Sequence, residues 1–174
     1  DRVVIGNPNP DIYGNIYTSL TWKNLRLDAN FKYSVGNDIY NCQRSELEGL
    51  NTTYNQTTAA LRRWTYEGQV TDMPKSCYTY SDEWRNNERM SDRWIEDGSY
   101  LKLKNIRLTY NIPYSNSWLL GLKVWGEANN VFTVSKYLGT DPEMSCRNGV
   151  LYQGIDTGLI PNGRSFNVGV SINL

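Results

Sequence analysis

Side chains that ordinarily carry catalysis are sparse in this sequence of 174 residues, and those present do not converge. There is no His, which removes the commonest general base at neutral pH and the commonest transition-metal ligand. A Ser-His-Asp or Cys-His arrangement cannot be assembled from this chain. The three cysteines, Cys42, Cys77 and Cys146, are too scattered for a zinc knuckle or a disulfide framework. A Cys42–Cys77 bridge stays open in an oxidising compartment, with one cysteine left over. Asp92, Glu96 and Asp97 could act as general acid and base, but Asp97-Gly98 reads better as a turn that delivers the chain into a strand beginning near Tyr100. Asp141-Pro142-Glu143 offers two carboxylates where a calcium ion takes about six to eight oxygens. The expectation is a protein without bond chemistry, cofactor or metal.

Recognition chemistry is better supplied. Thirteen Tyr and six Trp stand against three Phe, so rings with a polar handle dominate. Such rings stack on sugars and peptides, and they also concentrate at lipid–water interfaces. Trp64, Tyr66, Tyr78, Tyr80 and Trp84 fall in one long stretch without regular patterning. They are the candidates for contact with a captured glycan or peptide; packing within that stretch or against a partner protein is the equal alternative. Formal charge is zero with no cationic tract, which argues against nucleic acid as a partner.

The elements that position these residues are strands. From Leu25 the odd positions read Leu25, Leu27, Ala29, Phe31, Tyr33, Val35, and the even ones Arg26, Asp28, Asn30, Lys32, Ser34. Strict alternation puts apolar side chains on one face and polar ones on the other. The run has the length of a tilted transmembrane strand. Tyr13–Trp22 precedes it with Ile16, Thr18, Leu20 and Trp22 on one face, and Lys23-Asn24 is short enough for a tight hairpin. A third strand spans Tyr100–Ile112, where Ile106, Leu108, Tyr110 and Ile112 share a face. Upstream, Leu101 and Leu103 have the other parity, so either a bulge intervenes or that end leaves the lipid zone. The fourth strand sets Leu120, Leu122, Val124, Gly126 and Ala128 against Lys123, Trp125, Glu127 and Asn129. The last alternates Phe166, Val168, Val170, Ile172, Leu174 with Asn167, Gly169, Ser171, Asn173. Gly121, Gly126 and Gly169 lie inside strands, where Gly marks a bend or close packing.

Connection lengths alternate. Lys23-Asn24 and Pro113–Ser117 are short, whereas 42–98 and 133–164 are long. Outer-membrane barrels have short periplasmic turns and long extracellular loops, so the C-terminus is expected in the periplasm. Trp22, Tyr110, Tyr114 and Trp118 flank the short turns and suit the interfacial aromatic girdle. Within the first long connection Leu47, Leu50, Tyr54, Leu61 and Trp64 fall near helical spacing, but the Asn/Thr-rich 51–58 between them has poor helix propensity, and a short helix there stays undecided. No run approaches the roughly 20 apolar residues of a membrane-spanning helix. Mean hydropathy of −0.60 would suggest a soluble protein, yet barrels escape that rule because only alternate strand residues meet lipid. No composition shift or linker marks an internal boundary.

Four segments, GNPNPDIYG (6–14), DRWIEDGSYLKLKN (92–105), NNVFTVSKYLGTDPE (129–143) and IPNGRSFNVGVSINL (160–174), resemble in order and spacing the C-terminal end of SusC/RagA family TonB-linked outer membrane proteins. The resemblance covers nearly the whole chain. It implies an all-β fold: a C-terminal five-strand antiparallel segment, residues 1–174, of a transmembrane β-barrel of about 22 strands, with the plug domain and most of the barrel absent. It implies active import of glycans or oligopeptides with a SusD-like surface lipoprotein as lid, the TonB complex as energy source and outer-membrane lipid around the wall. Five strands alone leave two edges that a bilayer cannot satisfy, so the chain is expected to be a truncated reading frame or a proteolytic product. The start at Asp1, without Met or an apolar leader, fits a signal peptide removed or lying outside this stretch. The competing reading is a secreted, soluble β-sandwich that binds carbohydrate.

Overall fold

The computed structural model describes residues 2–77, 87–114, 118, 120–143 and 149–173. The alternating runs form strands: β1 (Ile12–Trp22), β2 (Leu25–Val35), β3 (Asp38–Asn41), β4 (Arg63–Trp64), β5 (Met73–Lys75), β6 (Ile95–Asp97), β7 (Tyr100–Ile112), β8 (Gly121–Ser135), β9 (Ile155–Asp156) and β10 (Ser165–Asn173). A helix α1 (Cys42–Glu48) and 3-10 turns at Thr58–Arg62, Asp92–Trp94 and Val150–Tyr152 complete the elements. They make two compact units from interleaved segments. No linker announces this division, because the second unit is assembled from what read as separate long connections.

The first unit comprises Pro10–Asn37, Gly98–Lys136 and Pro161–Leu174. It holds one antiparallel sheet in the order β1-β2-β7-β8-β10. β1 and β2 pair without a slip from Ile12↔Val35 to Trp22↔Leu25, and Lys23 between them takes the left-handed φ of 53° that tight hairpin turns require. Directly paired residues share a face, so the register gives continuous rows. One reads Ile16, Phe31, Leu103, Phe132, and the next Thr18, Ala29, Ile106, Ala128, Phe166. Leu20, Leu27, Leu108, Gly126, Val168 follow, then Trp22, Leu25, Tyr110, Val124, Val170.

The change of parity on β7 has a local cause. Asn30 pairs with Asn105 and its neighbour Phe31 with Leu103, so Lys104 is the extra residue of a bulge. That extra residue returns Leu101 and Leu103 to the face of Ile106 and Leu108. On β8, Asn130 at φ 50° absorbs the matching irregularity. Of the two sequence readings, the bulge is the one realised.

The apolar face is exposed along its outer strands, while Ala29 and Leu103 within the rows are each 6% exposed. Leu20 is 62% exposed, Phe166 78%, Val168 81% and Val170 60%. A sandwich buries such a face in a core shared by two sheets, whereas these four side chains stand exposed. Trp22 and Tyr110 stand in one row at the hairpin-turn end, and Tyr114 and Trp118 are exposed.

Both outer strands carry a glycine beneath an aromatic ring of the neighbouring strand. A Cβ on Gly14 would stand 3.0 Å from the Tyr33 hydroxyl, and one on Gly169 would stand 2.4 Å from the Trp125 ring. Each glycine thus seats a ring against the backbone, which covers a position with no side chain of its own. Gly169→Val should cost about 1–3 kcal/mol by overpacking, read as a lower unfolding temperature of the complete protein. Adding Trp125→Ala should restore part of the loss.

The second unit comprises Asp1–Asn9, Asp38–Asp97 and Tyr137–Ile160. It contains a three-stranded sheet, β6-β3-β9, and the pair β4-β5. β3 is antiparallel to β6 and parallel to β9. Trp94 is fully buried with Arg93 and Arg44 over its ring at 5.0 and 5.6 Å, and its indole N–H donates to the Arg89 carbonyl (3.2 Å). α1 begins where the Asn41 side chain accepts the Arg44 N–H (2.9 Å), a cap that satisfies one of the orphan donors of a helix start. It stops at Gly49, before Leu50 turns to φ 56°. The Asn/Thr-rich 51–57 is not helical, as its propensity suggests, and a 3-10 turn resumes at Thr58.

Candidate functional site: a polar sheet face and a loop-built cleft

The face of the sheet opposite the apolar rows carries two polar clusters. The Tyr17 hydroxyl donates to Asp28 (2.6 Å), and Arg26 Nε donates to the same carboxylate (3.0 Å). One strand further, Arg107 lies 3.7 Å from Glu127 and stacks 4.1 Å over the Trp125 ring. Asn105 donates to Asn129 (2.8 Å), and Asn129 donates to Glu127 (3.1 Å) and to the Ser165 hydroxyl (3.2 Å). Each acid therefore has its own arginine, and a hydroxyl or amides carry each cluster onto a neighbouring strand. The arrangement suits a wetted, charge-balanced lining.

In the second unit, one face of the small sheet floors a cleft. Asp38 pairs with Asp97, and Tyr40 with both Ile95 and Ile155, so these side chains share a face. Val3, Val4, Ile5 and Pro8 run along the same cavity of about 340 Å³. The other face is buried: Ile39 and Asp156 are each 1% exposed. Asp156 accepts the Tyr137 hydroxyl (2.6 Å) and the Gly158 N–H (2.8 Å). Burial first, and then this carboxylate, raise the Tyr137 hydroxyl well above its ordinary pKa.

The carboxylates singled out in the sequence have structural tasks. Glu96 accepts from Asn41 (3.2 Å), Arg44 (2.9 Å) and the Leu138 N–H (2.8 Å), while Asp97 is the last residue of β6 rather than part of a turn, and β7 follows after Gly98-Ser99. Asp141 is 4% exposed and accepts the Glu143 N–H (3.1 Å), a local turn bond. Cys42 and Cys77 are both thiols, so the bridge left open by the sequence is not made between them.

Of the loop aromatics, Trp64 ends β4 half-buried and Tyr66 is 65% exposed; Tyr78, Tyr80 and Trp84 lie outside the described residues. Trp64 and Tyr66 sit beside the β4-β5 pair, which the Arg62–Asp72 ion pair (2.8 Å) ties together. The cleft residues Asp38, Tyr40, Ile95 and Ile155 were missed from sequence. The alternation Asp38-Ile39-Tyr40-Asn41 is their one signal, and it is too short to separate from a loop.

Comparison with known proteins follows the sheet. TonB-dependent receptor P3 of Formosa agariphila is 31% identical over 180 residues, covering 99% of this chain. SusC of Bacteroides thetaiotaomicron is 25% identical over 185 residues, again covering 99%. Among solved structures, the RagAB peptide transporter superposes with a TM-score of 0.79 at 28% identity over 97% of the chain, and the open-open state of the RagAB peptide importer with 0.75 at 29% over 95%. This chain is homologous to a stretch of the SusC/RagA kind of TonB-dependent receptor. The resemblance carried by 6–14, 92–105, 129–143 and 160–174 is thereby confirmed, although no family model matches. The chain spans 17% of receptor P3, 16% of SusC and 18% of the RagAB transporter chain.

The β4-β5 pair has a testable electrostatic dependence. Hydrogen bonding to Arg62 holds the exposed Asp72 carboxylate down to about 2. Because the folded value is depressed, the pair supports the β4-β5 region above the ordinary aspartate pKa of about 4 and is lost as pH falls toward 2. Arg62→Gln should return Asp72 to the ordinary range and speed amide exchange over 63–75 at neutral pH. Unchanged exchange would show the pair to be energetically idle, as many surface pairs are.

Proposed function

We propose that this chain is part of the wall of an outer-membrane, TonB-linked importer of large nutrients. The C-terminal strand β10 ends in the periplasm and closes a barrel of about 22 strands around a plug. The long connections face outward, where a SusD-like lipoprotein acts as lid. Cargo, a glycan or an oligopeptide, is held between lid and barrel and released inward when TonB acts on the plug, with no bond made or broken. Trp64, Tyr66, Tyr78, Tyr80 and Trp84 are the candidate cargo contacts from these connections.

One observation carries this reading. The apolar rows run across the strands, including through the β7 bulge, and stand widely exposed on the outer strands β1 and β10, while the opposite face is polar and carries its own pairs. A bilayer outside and water inside is the environment that such a sheet matches. Homology to TonB-dependent receptors and to the RagAB peptide importer supports it.

The test is purification of the complete protein from cells. Recovery in outer membranes with a stoichiometric surface lipoprotein, and nutrient uptake lost when TonB is deleted, is the expected outcome. Recovery as a soluble secreted protein, or uptake indifferent to TonB, would overturn the proposal.

A further inference from the structure

We infer that the cleft on the β6-β3-β9 sheet is a subsite for a lysine or arginine side chain of a peptide cargo. This rests on the importing reading and takes its peptide branch. The floor, Tyr40, Ile95 and Ile155, is apolar, and Ile5 and Pro8 line the same cavity, which at about 340 Å³ is the size of a ligand pocket. At the end of the floor stands Asp38, which lines the same cavity. An apolar slot that ends in carboxylate is complementary to a side chain with a long aliphatic stem and a cationic head, because lysine and arginine bury their stems and keep the charge at the polar end. A neutral sugar offers neither the stem nor the charge.

The slot is built rather than incidental. The Asp38 N–H donates to the Asn7 carbonyl (2.8 Å), the Tyr40 N–H to the Gly154 carbonyl (2.7 Å) and the Gln153 side chain to the Pro8 carbonyl (3.1 Å). Gly154 has φ +71°, and a Cβ there would stand 2.7 Å from Pro8 and 2.9 Å from the Asp38 carbonyl, so the wall closes only around glycine. Among the described residues the Asp38 carboxylate makes one hydrogen bond, from the Asn7 N–H (2.8 Å), which leaves its second oxygen for a ligand cation.

The experiment uses the complete receptor with its lid lipoprotein in detergent. The probes are a blocked alanine pentapeptide with a central lysine, and the same peptide with norleucine, which keeps the stem and loses the charge. Wild type should bind the lysine peptide about tenfold more tightly, the scale of one hydrogen bond to a charged group. That preference should shrink as salt rises. Asp38→Asn, which keeps an acceptor for the Asn7 N–H, should abolish the preference and leave norleucine binding unchanged. Equal binding of the two peptides by wild type, or a preference that survives Asp38→Asn, overturns the inference. A receptor that takes up glycans and binds neither peptide overturns it while leaving the importing reading intact; a protein absent from the outer membrane ends both.

Discussion

Arginine at position 29 of the complete protein should sharply lower the yield and stability of the folded form, while arginine at position 30 is tolerated. Ala29 stands in the row Thr18, Ala29, Ile106, Ala128, Phe166, flanked by apolar rows on both sides. That row is near the middle of the apolar band, where an arginine facing lipid costs about 2–4 kcal/mol. Asn30 faces the other way, among Tyr17, Asn105 and Asn129, and a cation there meets a polar lining. Heat-modifiability on a gel reads both variants. Equal behaviour, or greater damage from Asn30→Arg, would mean that the faces are reversed, since a slip of one residue exchanges every side chain.

Trp94→Ala should have the largest effect in the second unit. The ring is fully buried, carries two guanidinium groups at 5.0 and 5.6 Å from its centre and is fixed by its N–H to the Arg89 carbonyl. Emptying the site should cost about 3–5 kcal/mol, more than a unit with a small apolar core can absorb, and would also leave Arg44 and Arg93 without the ring they cover. The expected result is rapid cleavage within 38–97 when intact cells are treated with protease, at unchanged heat-modifiability of the sheet. Trp94→Phe should be intermediate. Protease resistance equal to wild type in Trp94→Ala would refute this view of the packing.

The sheet was legible in the sequence because its signal repeats. β2, β8 and β10 alternate over nine residues or more and β1 over Ile16–Trp22, and a period-two pattern of that length has no helical counterpart. Even the exception on β7 was visible as the shift of parity between Leu103 and Ile106, although the register was needed to choose a bulge over an exit from lipid. The second unit was not legible for the converse reason. β3, β6 and β9 have four, three and two residues, and their partners lie far apart in sequence, so no local pattern could bring Tyr40 beside both Ile95 and Ile155. The same distance hid the cleft. Asp97-Gly98 read as a turn, whereas Asp97 ends β6 and stands opposite Asp38, a fact of pairing rather than of composition. Helical spacing around Leu47–Trp64 was half informative: the helix forms earlier, where Asn41 can cap it, and fails where Asn and Thr crowd 51–57.

The central claim is that one face of β2 meets lipid and the other meets water. Nitroxide labels placed singly at 25 to 35 in the complete receptor, reconstituted in liposomes, test it directly through collision with oxygen and with a water-soluble nickel complex. Oxygen accessibility should peak at positions 27, 29, 31 and 33, and nickel accessibility at 26, 28, 30 and 32, in antiphase with a period of two. A flat profile, or oxygen maxima on the even positions, would contradict the claim.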